Sequence, residues 1–399
     1  MSLTMLCLAS YHKGLEFLRE AKRQGCRVLL VTSASLRDAD WPRDSLDDIF
    51  YIHDDRKRWK IDDLILGTAH LARRSPIDRI VPLDDFDLEK ASALREHLRI
   101  PGMGETTMRH FRDKLAMRMK AQEEGLPVPA FVHVLNDDRI REFCRRVPPP
   151  WFLKPRHQAG SIGIRKINGE DELWAVTEAL GDERSYFLLE EFVAGDVCHV
   201  DSIVYQRDVV AAVPSKYGTP PFDVTHSGGV FTTRLMDRTS AEASELLQLN
   251  KQLLVALGLV RGVSHSEYIR GENGRLVFLE TSARVGGAHI AELIEAATGV
   301  NMWAEWAKIE VAGGEKPYRV PAMRNDYAGL IVSLARQESP DLGDYTDPEI
   351  VWRLDKPSHA GVIVRSPHLA RVDELLTSYE SRFRTDFVAS LPASQTPYD

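Results

Sequence analysis

The chain has 399 residues, of which 43% are hydrophobic and 28% charged, a composition typical of a globular protein large enough for more than one domain. Its 51 basic and 59 acidic residues give a formal net charge of −8, which argues against a protein whose main task is to hold nucleic-acid phosphates. No run approaches about 18 apolar residues and the cysteines form no C-x-x-C pair, so we predict a cytoplasmic protein with free thiols and without a membrane span, zinc site or disulfide framework.

The first hundred residues alternate short β-like runs with amphipathic helical patterns. This βαβα rhythm predicts an α/β domain with a parallel, doubly wound sheet, which we assign to residues 1–110. The first strand leads into ASYHKGLEFL and not into G-x-G-x-x-G. An NAD-dependent oxidoreductase is therefore disfavoured.

The pattern changes after residue 110. The segment RHFRDKLAMRMKAQEEG, residues 109–125, is predicted to form one helix. It contains Lys114, which in isolation is typical of an exposed helix lysine. Residues 111–195 alternate short strands and helices, as a small α+β module does, and residues 196–399 combine long strands, a long helix and a hairpin in a larger α+β unit.

A strand followed by a glycine-rich loop occupies residues 151–166, WFLKPRHQAGSIGIRK. The strand carries Lys154, and the loop carries Gly160, Ser161 and Gly163. Glycines let backbone N–H groups close on a phosphate, and a lysine on the preceding strand reaches the same anion as a point charge. The loop matches neither the P-loop nor the kinase pattern. A phosphate site and a plain turn with a solvated lysine are both open here.

The strand YFLLEE ends in Glu190 and Glu191, and Phe192 and Val193 follow it before Gly195. A hinge of this kind can present backbone groups to an adenine edge while its apolar side chains pack on the ring. A strand that leaves a core has the same pattern, so both interpretations stand.

Asn273 and Gly274 lie between two apolar runs in VSHSEYIRGENGRLVFLETSAR, a strong hairpin signal because a type I′ turn needs positive φ at both central residues. With these two residues as the turn, Glu267 falls directly opposite Glu280. Like charges in this position are destabilising, so we expect a divalent cation between them, and oxygen ligands of this kind hold Mg²⁺ beside nucleotides. The alternative is a glutamate pair on a solvated face.

Strand side chains alternate between the two faces of a sheet, so the hairpin register also assigns the neighbouring residues. The face with both glutamates is predicted to carry three further polar side chains, those of His265, Ser282 and Arg284. The opposite face is predicted to carry apolar side chains, those of Val277, Leu279 and Ala283.

The order of these motifs is more specific than any one of them: RDK on a helix, a strand lysine with a G-S-x-G loop, LLEEFV-x-G, H-x-E, and E-x-S-x-R-x-G-G. In this order they resemble the ATP-grasp superfamily of ligases, and the nearest match is the branch of L-amino-acid ligases and biotin-carboxylase-like enzymes. The resemblance covers nearly the whole chain. It implies an ATP-grasp fold in which a Rossmann-like parallel-sheet domain precedes two α+β units that grip ATP, the smaller of which is a lid.

The resemblance also implies roles for individual residues. Contacts to ATP would come from Lys114, Lys154, Gly160, Ser161, Gly163, Glu190, Glu191, Phe192 and Val193. One or two Mg²⁺ ions would be held by Glu267, Glu280 and Ser282. Charge on the transferred phosphoryl group would be met by Arg284 and Lys154. Apart from the resemblance, the attacking amine must lose its proton, and His265 and His289 are the candidates to take it, with a structural histidine as the alternative for each.

Two positions depart from the family pattern. Many relatives have a ribose-binding glutamate after the hinge, where this chain has Val197, and Asp196 or Asp201 would have to substitute. The second metal-binding residue is usually an asparagine, where this chain has Ser282. A hydroxyl is a shorter and poorer ligand than an amide carbonyl, so weaker binding of one ion is expected.

The implied reaction activates a carboxylate as an acyl phosphate, which an amine, such as that of an amino acid, then attacks to give an amide, ADP and phosphate. The expected partners are a small carboxylate and a small amine, and a homodimer is left open. A bicarbonate-activating carboxylase-like enzyme is the rival among enzymes. A nucleotide-binding regulatory module without turnover is the rival outside them, because Val197 and Ser282 depart from the pattern.

A connection rich in glycine, proline and aromatic residues, PSKYGTPPFDVTHSGGVFTTR, spans residues 214–234. Long loops in compact domains are often functional, and a packed structural loop is the alternative. We predict that this connection covers the acceptor site, with Tyr217 and Arg234 as candidate substrate contacts.

Overall fold

Three β-sheets organise the chain, which a computed structural model describes at residues 2–54 and 59–389. The strands are β1 Thr4–Ala9, β2 Arg27–Ser33, β3 Asp48–Ile52, β4 Arg79–Pro82, β5 Phe131–His133, β6 Trp151–Pro155, β7 Arg165–Ile167, β8 Phe187–Glu191, β9 Gly195–Tyr205, β10 Asp208–Tyr217, β11 Val230–Leu235, β12 Gly262–Gly271, β13 Leu276–Ser282, β14 Tyr327–Leu334, β15 Ile350–Arg353 and β16 His359–Ser366. The α-helices are α1 Leu15–Arg23, α2 Ile61–Ala72, α3 Leu88–Leu98, α4 Glu105–Met108, α5 Lys114–Glu123, α6 Asp137–Arg146, α7 Glu170–Leu180, α8 Pro221–Ser227, α9 Ala241–Leu257, α10 Ile290–Thr298, α11 Met302–Ala312 and α12 Leu369–Asp386.

The first sheet is parallel, in the order β3-β2-β1-β4. Its central strands TMLCLA and RVLLVTS are almost continuously buried, as expected for strands covered by helices on both faces. The predicted parallel sheet is confirmed. Its β4 edge delivers the segment 83–87 towards the rest of the molecule.

The second sheet has the order β5-β8-β6-β7 and is antiparallel. It has an apolar cluster of its own, which includes Trp151, Phe143 and Leu189. Because this cluster is separate, the strands that carry Lys154 and Glu190 form a compact unit, which we call the lid.

The third sheet contains eight antiparallel strands in the order β13-β12-β9-β10-β11-β14-β16-β15. The helix α9 packs on its β9–β10 side, begins with Ser240 capping the amide of Ala243, and ends at the left-handed Gly258. The hairpin β12–β13 forms one edge of this sheet.

Two predicted elements differ from the structure. The helix predicted over 109–125 is broken, because Asp113 is extended and caps the amides of Leu115 and Ala116, so α5 begins at Lys114. The predicted connection 214–234 is mostly regular, since β10 and β11 occupy its ends and α8 lies between them.

Two predictions about chemistry and location can be compared with the described residues. The four cysteines are buried free thiols, as predicted. Among the helices described, none is long and apolar enough to cross a bilayer. The predicted third domain, 196–399, extends ten residues past the last one described, and the bounds of all three domains stay predictions.

Candidate active site

Glu267 and Glu280 pair directly opposite each other in the β12–β13 ladder, as predicted. The predicted two-residue turn is wrong. The amide of Gly271 bonds the carbonyl of Arg275 at 2.9 Å, which leaves a three-residue loop, and the left-handed φ of +80° lies at Gly274. This is the arrangement of a type I turn followed by a glycine bulge.

A bulge at Leu279 shifts the ladder register by one residue between the turn and the glutamates, which restores the predicted pairing. Between the bulge and the turn, the side chains of β13 therefore lie on the opposite face of the sheet from the one predicted. Val277 now pairs with Ile269 and shares its apolar cluster, and Leu279 lines the same cleft as the glutamates. The predicted direction of Val277 and Leu279 is therefore wrong, whereas Ala283 lies in the other apolar cluster, as predicted.

Lys114 offsets the charge of the glutamate pair. Its Nζ lies 2.7 Å from the Glu280 carboxylate and donates to the carbonyl of Gln158 at 2.6 Å. The residue is 7% exposed, so its interpretation as an exposed helix lysine is wrong. Because two carboxylates face one cleft and the Glu280 side chain keeps 31% of its surface exposed, the donor set fits a hard cation such as Mg²⁺.

A cleft of about 210 Å³ lies between the lid and the eight-stranded sheet. It brings together most of the predicted nucleotide contacts, which are Lys114, Lys154, Ser161, Glu190, Glu191, Phe192 and Val193, with both glutamates. Apolar side chains complete its lining, among them Phe152, Ile164, Val197, Phe222, Ile269 and Leu279. Such a lining suits a flat, partly apolar ligand that carries negative charge at one end.

Glu190 has a different environment from the one expected of a hinge side chain. Its carboxylate is fully buried and lies 2.7 Å from Nε of Arg118 and 2.6 Å from Nζ of Lys154. Burial by itself raises the pKa of Glu190, but the charges of Arg118 and Lys154 outweigh it and lower the pKa. The side chain of Glu190 therefore holds Lys154 in place, which leaves only the backbone of Glu190 for a ligand.

The glycine-rich loop has the backbone conformation that its sequence requires. Gly160, Ser161 and Gly163 all have a left-handed φ, of 65°, 60° and 71°. A Cβ at Gly163 would lie 3.0 Å from the ring of Pro155, so this glycine permits a close approach. Ser161 lines the cleft, whereas the two glycines do not.

Asp85 is a site residue that the motifs did not indicate. It follows β4, and its buried carboxylate accepts hydrogen bonds from the hydroxyl of Ser282 and, at 3.2 Å, from Nη2 of Arg284. Burial raises the pKa of Asp85, but Arg284 and Arg112 outweigh it and hold the pKa well below its usual range. Its position just after a strand of the parallel sheet could have indicated it, because ligands bind parallel sheets at the carboxyl ends of their strands.

The contact with Asp85 changes what Ser282 and Arg284 offer. The hydroxyl hydrogen of Ser282 points to Asp85, so only the lone pairs of its oxygen are available to a cation. Both residues line a small cavity of about 20 Å³ that also touches Lys114, Glu280 and His265. The metal-binding role of Ser282 stays a prediction.

His265 belongs to a buried network behind Glu267. The carboxylate oxygens of Asp201 lie 2.9 Å from Nδ1 of His265 and 2.8 Å from Nδ1 of His199. The hydroxyl of Tyr217 donates a hydrogen bond of 2.8 Å to the carboxylate of Glu267. Burial lowers the pKa of His265, but Asp201 and Glu267 outweigh it and raise the pKa to about 9. Burial raises the pKa of Glu267, but His265 and Tyr217 lower it to about 2.

Several other predicted contacts lie outside the cleft. Arg234 forms an ion pair with Asp373 on α12. His289 contacts the Trp352 ring, with ring centroids 4.9 Å apart. Neither candidate for the ribose lines the cleft, because Asp196 pairs with Lys216 at 2.7 Å and Asp201 is buried between its two histidines.

Comparison with known proteins identifies related sequences. Residues 147–292 match the family model of the ATP-grasp domain. Over 243 residues the chain is 25% identical to an L-arginine-specific L-amino acid ligase of Bacillus subtilis, a match that covers 59% of this chain and 58% of that protein. Over 238 residues it is 25% identical to a D-alanine–D-alanine ligase of Bordetella avium, covering 58% of this chain and 75% of that protein.

Solved structures show similarity over a longer range. An L-amino acid ligase from Bacillus licheniformis aligns with a TM-score of 0.74 and 16% identity, covering 98% of this chain and 99% of that one. A biotin carboxylase from Campylobacter jejuni aligns with a TM-score of 0.68 and 16% identity, covering 97% and 92%. At this identity the likeness shows the fold alone, and the chain spans little more than half of the Bacillus subtilis relative that it matches.

Proposed function

We propose, from the ATP-grasp domain that this chain carries, that it is an ATP- and Mg²⁺-dependent ligase that joins a carboxylate to an amine. The carboxylate is activated as an acyl phosphate, and the amine, for which we propose an amino acid, displaces the phosphate. The observation that carries this proposal is the opposed pair Glu267 and Glu280, which shares one cleft with Lys114 and Lys154.

Different parts of the cleft suit different parts of the ATP molecule. The apolar lining around Phe152, Phe192 and Ile269 would take the adenine ring, and the lysines would take the phosphates. Lys154 is already held by Glu190, so it needs little ordering on binding. Lys114, which pairs with Glu280 at 2.7 Å, would exchange this carboxylate for a phosphate once a cation occupies the glutamates.

Glu267 and Glu280 would hold Mg²⁺, which supplies positive charge to the phosphates during phosphoryl transfer. Arg284 is fixed by Asp85 beside Glu280, and we assign it to the charge that develops on the transferred phosphoryl group and the acyl phosphate. Ser282 would contribute a weaker oxygen ligand, consistent with one firmly held ion and a second that is weaker.

The role of His265 differs from the expected one. Against the effect of burial, Asp201 and Glu267 raise the pKa of His265 above its usual value, which favours the protonated ring, and a protonated histidine cannot accept a proton from the amine. We therefore assign His265 to positioning Glu267, whose carboxylate it approaches at 3.5 Å.

The test is ADP release with Mg-ATP across a matrix of paired carboxylates and amines, with the 20 common amino acids as the first set. Release that requires both partners, together with an amide product, is the expected result. Bicarbonate in place of the organic carboxylate distinguishes the carboxylase-like alternative. Tight Mg-ATP binding without release in any pair would contradict the ligase proposal and favour a regulatory module.

A further inference from the structure

A second cavity of about 210 Å³ lies apart from the nucleotide cleft, and the two share no lining residue. One wall comes from the first domain and its exit, including Leu88, Arg95 and Gly102. The other wall comes from the α9–β12 turn and α11, including Arg261 and Glu310. The cavity is therefore an inter-domain site comparable in volume to the proposed ATP site.

The ionisable groups in the lining of this cavity are two guanidinium groups and one carboxylate. Arg261 pairs with Glu310 at 3.3 Å, and Glu310 also accepts from the indole N–H of Trp306 at 3.3 Å. Arg95 is 9% exposed and donates to the backbone carbonyls of Ile80 and Met103. Among the residues described, Arg95 has no ion pair, so the cavity keeps a surplus of one positive charge.

A buried charge without an opposite charge in contact is costly, and a bound anion would remove that cost. Burial lowers the pKa of Arg95 to about 10 despite the opposing effect of Glu310. A guanidinium with that pKa stays charged at neutral pH. The remaining lining is mostly apolar and includes Val263, Leu259 and Trp306.

We propose that this cavity binds a small anion, a carboxylate or phosphate attached to an apolar group, through Arg95 and Arg261. Guanidinium groups recognise both anions through the same hydrogen-bonding fork, so the headgroup is left for experiment. The apolar walls would bury the rest of the ligand.

The cavity lies directly behind the end of the β12–β13 hairpin that carries Ser282 and Arg284, which we call the proposed catalytic edge. Ala283, which lines it, stands between Ser282 and Arg284 in the sequence, and these two side chains contact Asp85 on the other face of the hairpin. Leu88, also in the lining, follows the turn that carries Asp85. An occupant would therefore contact both sides of the Asp85 junction, and we infer that it changes the affinity of the cleft for Mg-ADP.

The binding test uses thermal unfolding of the full chain saturated with Mg-ADP, titrated with sodium butyrate or propyl phosphate against sodium chloride at equal ionic strength. We expect a rise in Tm of roughly 1–3 °C at ten times the Kd of the anion. The headgroup that gives the larger rise identifies the ligand class. This test involves no turnover, so it can fail while the ligase proposal holds, or succeed while that proposal fails.

Three variants locate the site. Arg261→Gln removes one charge but can still bond Glu310, and Thr107→Leu fills the cavity from the opposite wall, so both are expected to lose the rise in Tm. Arg139→Gln, at an exposed position on α6, is the matched control and keeps it. No rise beyond chloride in the parent chain, or an equal rise in all variants, would overturn the proposal.

Coupling is tested by measuring the Kd for Mg-ADP with and without the more effective anion. A change of at least about threefold, with a reciprocal change in the Kd of the anion, is expected because linkage between two sites is symmetric. An unchanged Kd for Mg-ADP would refute the coupling.

Discussion

At the scale of single residues, the site depends on how each carboxylate is compensated. Glu190 is buried between two cations, Asp85 is bonded by Ser282 and Arg284, and Glu267 is held by a histidine and a tyrosine. Glu280 differs, because its partner is Lys114 and its side chain is 31% exposed towards the cleft. Glu280 is therefore the carboxylate most available to a cation.

Glu280→Gln is expected to lower Mg²⁺-dependent ADP release by about 100-fold or more, the size of effect that follows loss of one charged group at a transition state. The fold should be kept, because the exchange is isosteric and the position is partly exposed. Steady-state turnover, together with circular dichroism, checks both parts. Glu272→Gln, in the exposed turn of the same hairpin, is the control, and unchanged turnover in Glu280→Gln would remove the metal assignment.

At the scale of elements, the start of α5 positions Lys114. Asp113 accepts hydrogen bonds from the amides of Leu115 and Ala116 and, at 3.0 Å, from Nε of Arg156 in the lid. Helix-period residues continue upstream of this point, which is why the sequence predicted a single helix. The capping side chain of Asp113 and its arginine partner make α5 begin at this point and keep it from extending upstream. Lys114 therefore lies in the first turn of α5, where it reaches Glu280.

Asp113→Ala is expected to destabilise the protein by about 1–2 kcal/mol, because a cap and an ion pair are lost together. Asp113→Asn should retain most of the cap and lose less. Urea unfolding of the three proteins at neutral pH measures the difference. Equal stability of the alanine variant and the parent would contradict this explanation of why α5 begins at Lys114.

The ion pair between Asp113 and Arg156 also predicts how the stability of the protein depends on pH. Burial raises the pKa of Asp113, but the hydrogen bond and charge of Arg156 outweigh it and lower the pKa below 3.8. A carboxylate with a lowered folded-state pKa stabilises the fold above its unfolded pKa and loses that contribution as the pH falls through the folded value. The stability difference between parent and Asp113→Ala should therefore be constant above about pH 5 and shrink below about pH 3.8. A difference that stays constant down to pH 2.5 would contradict it.

At the scale of the whole molecule, the parallel sheet and the proposed catalytic edge meet at Asp85. The ATP-grasp fold predicted from motif order is confirmed, with its N-terminal parallel sheet. The structure adds that β4 of this sheet delivers Asp85 to Ser282 and Arg284 on the hairpin. The parallel sheet therefore contributes directly to the geometry of the proposed site.

Asp85→Asn is expected to reduce kcat by about 10- to 100-fold, the cost of losing a group that orients a site residue. The Kd for Mg-ADP should change by no more than the roughly threefold expected for a ligand of the second cavity, because Asp85 does not line the nucleotide cleft and reaches it only through the hairpin. Stopped-flow turnover and calorimetric ADP titration separate the two effects. Asp62→Asn, exposed on α2, is the control, and a parallel loss of ADP affinity would assign Asp85 to nucleotide binding instead.

The sequence by itself determined the parallel strands and the glutamate pair. Apolar periodicity defined the parallel strands, and local hairpin signals placed Glu267 opposite Glu280 even though the assumed turn was wrong, because the bulge at Leu279 offset the longer loop. Motif order carried the fold class. These features depend on neighbours close in the chain or on a family pattern.

Only the tertiary structure decided how the charges of the site are compensated. Asp85 contacts Arg284 and Ser282, from which it is separated by 199 and 197 positions in the sequence, and no local pattern indicates contacts of that range. The burial of Glu190 between Arg118 and Lys154 likewise joins α5 to two lid strands. Compensation of a buried charge depends on whichever groups packing brings within a few ångströms, and that distance is a property of the folded chain.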